Sequence, residues 1–125
     1  MTSAQDEFRK FLGDLVSPAV RAAGLKGSAG NYRLPSSTHF ALVGFQRSTS
    51  STASAVKFTI NLKAVSHGTW RLARAGRSWL PEIPGANRIY PVAEWQKRIG
   101  TLMPAGQDHW WWLRPAQPLD ALAWM

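Results

Sequence analysis

The sequence predicts an α+β fold in which an N-terminal helix and a further short helix pack on a mostly antiparallel β-sheet. Three observations predict it. Apolar residues recur at three-and-four spacing between Phe8 and Val16, the period changes to two from Asn31 onward, and a helical spacing returns after Tyr90. At 125 residues and 45% hydrophobic content, the whole chain, 1–125, fits a single domain with its own core.

Phe8, Phe11, Leu12, Leu15 and Val16 form one apolar stripe. Thr2 or Ser3 can cap the helix start, and Asp6 and Glu7 suit the positive end of its dipole. Pro18 removes a backbone donor, so the helix kinks there or restarts with Ser17 as cap, ending at Gly24. In HFALVGFQR, Phe40 and Leu42 lie opposite Ala41, Val43 and Phe45, which predicts a strand buried on both faces or nearly so. STSSTASA reads as a small polar loop. AVKFTINLKAV then alternates, with Val56, Phe58, Ile60 and Leu62 facing a core and Lys57, Thr59, Asn61 and Lys63 facing solvent.

Between Ser66 and Asn87, Gly68, Gly76, Pro81, Pro84 and Gly85 predict irregular structure with a short helical turn around Leu72 at most. PVAEWQKRIGTLM reads as a short helix, with Val92, Trp95 and Ile99 at helical spacing and Gly100 as terminator. PLDALAWM opens like another helix, Pro118 in its first turn, which stops before two turns are complete and so reads as cut short.

The run DHWWWLRP, Asp108 to Pro115, is expected to be a strand with Trp110, Trp112 and Arg114 on one face and His109, Trp111 and Leu113 on the other. An indole buries on the order of 200 Å². The run is therefore read as interior, covered on both sides, in preference to a platform for stacking bases.

An N-terminal helix followed by GLKGSAGNYR, the strands FALVGFQRS and FTINL with their glutamine and asparagine, and above all EWQKRIGTLMPAGQDHWWWL resemble a bacterial family catalogued as domain of unknown function 4304. The last stretch carries the family's arginine, apolar, glycine, proline, glycine, aspartate and double-tryptophan pattern. The resemblance covers Phe8 to Leu113 and implies helices packed on a mostly antiparallel sheet, with no established activity to carry over. Leu25 stands where the family usually has an aromatic, Trp112 adds a third tryptophan, and the family usually continues into a helix after this point.

Fifteen Lys and Arg against seven Asp and Glu give a net charge of +8. No acid falls between Leu15 and Pro81, where Arg21, Lys26, Arg33, Arg47, Lys57, Lys63, Arg71, Arg74 and Arg77 all lie, so a positive field on the surface is expected. The absence of cysteine excludes a disulfide framework, a thiolate nucleophile and cysteine metal ligands, and predicts a reducing, cytoplasmic setting. The start, MTSAQDEFRKFLGDLV, is acidic where a secretory signal is basic and then apolar. No apolar run approaches the roughly 18 residues of a membrane span, so a soluble chain without membrane association is expected.

Catalytic signatures are sparse. No G-x-S-x-G elbow or phosphate-binding glycine loop occurs, and Asp108 and His109, neighbours on a strand, point to opposite faces. His39, His67 and His109 lie on three separate segments, so no metal site, cofactor or enzyme activity is expected. The strongest binding signal is TWRLARAGRSW, which sets Arg71, Arg74 and Arg77 between Trp70 and Trp79, with Lys57 and Lys63 as an extension. These residues predict a non-catalytic binding module that grips an acidic protein partner, of immunity or accessory type. Nonspecific nucleic-acid binding is the first alternative and an enzyme with an unrecognised site the second. A homodimer through a tryptophan-rich sheet edge stays open.

Overall fold

A computed structural model of the chain describes residues 3–92 and 94–115. The helix expected from Pro118 lies outside the described residues. The chain starts with α1 (Ala4–Phe11), a π-helical turn (Leu12–Val16) and α2 (Ser17–Ala22), then forms β1 (Lys26–Ser28), β2 (Asn31–Leu34), β3 (His39–Arg47) and β4 (Val56–Ser66). There follow α3 (His67–Gly76), β5 (Trp95–Arg98), a 3-10 turn (Ile99–Leu102) and β6 (Trp111–Leu113). The fold is α+β. Among the described residues the sheet has six strands in the order β1-β2-β3-β4-β5, with β6 also on β4, and the pairings are antiparallel. β3 lies along one edge of β4, while the other edge is shared, Val56–Phe58 pairing with β6 and Asn61–Ala64 with β5.

Ser3 caps α1 in a reciprocal capping box with Asp6, and the Ser3 hydrogen bonds hold the Asp6 carboxyl below the usual carboxylate range. At Pro18 the helix neither stops nor restarts. The Ser17 N–H reaches back to the Leu12 carbonyl, so one widened turn takes up the proline inside a continuous helix. Ser17 is itself helical and is therefore not a cap; its hydroxyl and that of Tyr32 share a 2.7 Å hydrogen bond. The β1–β2 hairpin turns through Ala29 (φ 54°) and Gly30 (φ 86°), both left-handed, as a two-residue loop matched to strand twist requires.

Two cores lie on opposite faces of the sheet. The helices bury Phe8, Leu12 and Val16 against Tyr32, Val56, Phe58 and Leu113. Phe8 and Phe58 sit 5.0 Å apart and Phe58 stacks on Trp111 at 5.9 Å. On the other face α3 and the segment after it bury Val65, Trp70, Leu80 and Tyr90.

Three expectations are corrected. The stretch after Ser66 is a ten-residue helix: Ser66 caps it by accepting the Thr69 N–H at 3.0 Å, and Gly68 and Gly76 fall within its first and last turns. The helical spacing of Val92, Trp95 and Ile99 is overridden, because β4 offers an unpaired edge and Trp95–Arg98 satisfy it as a strand. The polar side of β4 is also not solvated. Thr59, Asn61 and Lys63 are buried while Ile60 and Leu62 are only half-buried, because residues 80–94 fold over Asn61 and Lys63 and the chain at His109 lies against Thr59.

Candidate functional site

The residues expected to form one binding surface divide into three places. Arg71 and Arg74 are exposed one turn apart on α3, and Arg77 and Trp79 are exposed on the turn that follows. Arg74 Nε donates to the Leu80 carbonyl at 3.4 Å, which draws the helix and this turn into one continuous surface. Trp79 is 63% exposed and Leu72, on the outer face of α3, 77%. Among the described residues no carboxylate pairs with Arg71, Arg74 or Arg77.

Trp70 faces the opposite way. Its ring is buried edge-on against Tyr90 at 5.0 Å, and its N–H is divided between the Pro81 and Glu82 carbonyls, so it is a core residue and no part of a contact surface. Lys63 is likewise interior, at 2% exposure. Its ammonium donates to the Gly85 carbonyl at 2.8 Å and to the Arg88 carbonyl, and lies 3.3 Å from the Glu94 carboxylate and 4.4 Å from the Tyr90 ring centre. Burial lowers its pKa, and the neighbouring carboxylate opposes that shift. Lys63 pins the covering segment to the sheet.

Lys57 belongs to a third place, near the far end of β4, ~20 Å from Lys63 at strand rise. It sits between two indoles, 5.3 Å from the Trp110 centre and 5.7 Å from Trp112. Arg98 lies over Trp110 at 4.8 Å and Arg114 over Trp112 at 5.4 Å, so five side chains alternate cation and ring. The expectation that all three tryptophans are interior holds in part. All three are half-buried: Trp111 packs on the helix-side core, whereas Trp110 and Trp112 lie on the polar face, where cations cover their rings. The alternation within the run is as expected, with His109 against Trp111 and Arg114 against Trp112.

Beside Lys63 a polar cluster fills the middle of the same face. Asn61 Nδ2 donates to Gln46 Oε1 at 2.7 Å and to Asn87 Oδ1 at 3.0 Å, and Asn87 Nδ2 donates to the Phe45 carbonyl at 3.3 Å. Gly44 makes room for this: a Cβ there would come within 2.3 Å of Asn87 Oδ1. Thr59, fully buried, donates to the His109 carbonyl at 2.8 Å. Gln46, Asn61, Asn87, Glu94 and Gln96 line a cleft of about 430 Å³. Sequence reasoning missed this group as a site. Its trace was the glutamine- and asparagine-bearing strands, together with Glu94 as a lone acid in an otherwise apolar and basic stretch.

His39 and His67 line one pocket of about 350 Å³, and His109 lies elsewhere, beside Thr59. Among the described residues no group of three potential metal ligands forms. No helix among them is long and apolar enough to cross a membrane.

Fold and cluster together define an α+β protein whose polar sheet face is roofed by an irregular segment. The family described as "Domain of unknown function (DUF4304)" matches residues 16–123, and the chain belongs to it. No curated protein and no solved structure matches the chain.

Proposed function

We propose that the protein acts by binding, without catalysis, and that it grips an acidic protein surface with Arg71, Arg74, Arg77 and Trp79. The supporting observation is the exposure of Trp79 and Leu72 among three arginines that have no carboxylate partner among the described residues. Tryptophan and arginine dominate the energetics of protein interfaces, and an uncompensated positive patch steers an acidic partner to it. Nucleic acid would use the same cations. Against it stand the rings of Trp110 and Trp112, whose faces are taken by Lys57, Arg98 and Arg114, leaving less aromatic surface for bases.

The test compares the full chain with an Arg71→Glu/Arg74→Glu/Arg77→Glu variant, using polyglutamate and a single-stranded oligonucleotide as probes. The expected result is polyglutamate binding that weakens about tenfold or more in the variant, with a weaker response to the oligonucleotide. Tight oligonucleotide binding that collapses steeply with salt would replace this reading by the nucleic-acid one. Co-purification of an acidic protein from the native host, lost on the same reversal, would identify the partner.

A further inference from the structure

The geometry points to a second site, independent of the basic surface: the cleft over the middle of β4 binds a small uncharged molecule that carries an amide group. Its walls come from β3 (Gln46), β4 (Asn61), the covering segment (Asn87, Tyr90) and the chain into β5 (Glu94, Gln96). A cleft of about 430 Å³ suits a small ligand.

Two buried atoms in these walls, Glu94 Oε2 and Gln96 Oε1, accept no hydrogen bond. Glu94 Oε2 has the Lys63 ammonium 3.3 Å away, with the one proton not given to the Gly85 and Arg88 carbonyls, so Gln96 Oε1 is the acceptor left with no donor. Buried acceptors are nearly always satisfied in folded proteins, so Gln96 Oε1 calls for a donor from a bound molecule. Glu94 is matched by Lys63 and Arg98 by Asp108 at 2.5 Å, and the one further charged residue on the lining, Lys97, is exposed to solvent, so the buried part of the cleft holds no unbalanced charge. The Tyr90 ring is buried with Lys63 over it, so it offers little open face to a flat stacking ligand. What remains is a wall of side-chain amides and a carboxylate. A neutral amide complements it, presenting N–H to Gln96 Oε1 and a carbonyl to the amide donors.

The test is a heteronuclear NMR titration of the full chain with N-acetylglycinamide and with N-acetylglycine, which differ only in ending as an amide or a carboxylate. The expected result is a saturable shift of the Gln46, Asn61 and Gln96 side-chain amide signals with the neutral probe. The carboxylate probe should bind about tenfold more weakly or worse, since it faces Glu94. Gln96→Leu should still unfold cooperatively yet lose the response, and Gln96→Met replaces it if the leucine variant does not fold. No saturable shift, equal binding of the two probes, or an unchanged response in the Gln96 variant would each overturn the assignment.

Discussion

The two faces of β4 bury alternate residues of one strand by opposite means. Toward the helices Val56 and Phe58 pack in a cluster of hydrocarbon and rings, and an apolar side chain of the right volume gains most of that stabilisation. Toward the covering segment Thr59, Asn61 and Lys63 are as deeply buried, but each needs a named partner: the His109 carbonyl, Gln46 with Asn87, and Glu94 with two carbonyls. The apolar face is stabilised by area. The polar face is stabilised by geometry, so losing one member leaves another unsatisfied.

The largest test of that contrast is Phe58→Ala, which opens a cavity between Phe8, Phe11, Phe45 and Trp111. Chemical denaturation should record a loss of about 3–5 kcal/mol. Glu94→Leu should cost about 3 kcal/mol, because it leaves the Lys63 charge buried and alone. Adding Lys63→Met to that variant should restore at least half of the loss. If the double variant is no better than Glu94→Leu, the ion pair is not what makes this face fragile. The pair also sets a pH dependence. With the folded pKa of Lys63 below its ordinary 10.5, the unfolded chain binds more protons between those two values. This group's contribution to stability therefore rises with pH across that window, and Lys63→Met should flatten the denaturation midpoint there.

Smaller effects sharpen the comparison. Thr59→Val keeps the shape but removes the bond to His109, and should cost about 1 kcal/mol in thermal or denaturant unfolding. Lys57→Met keeps the packing between Trp110 and Trp112 and loses only the charge. Its cost should be about 0.5–1 kcal/mol.

Legibility in the sequence followed the same division. The helix-side core was readable because Phe8, Leu12 and Val16 at helical spacing, and Val56 and Phe58 at strand spacing, are local patterns with one physical meaning. The polar face was misread for an equally local reason: alternation separates apolar from polar residues but does not say that the polar side will meet water. Trp70 and Lys63 were placed on a surface because both lie near arginines in sequence or alternate with polar residues, whereas the fold turns both inward. Val92, Trp95 and Ile99 matched a helix by spacing and became strand and 3-10 turn because β4 had an edge to fill. Arg71, Arg74, Arg77 and Trp79 are exposed, as expected of a surface, whereas the cleft was not legible, since its five polar walls are up to 50 positions apart in sequence.

By itself, the sequence determined the α+β class, the capped and proline-bearing first helix, the strand period, and an excess of positive charge. These follow from periodicity, capping and composition, which act over a few residues or over the whole chain. Only the tertiary structure decided which side of β4 is wet, where Glu94 meets Lys63, and which tryptophan rings are covered by hydrocarbon and which by cations. Those outcomes depend on contacts between distant segments, and their energies exist only once the chain has brought the segments together.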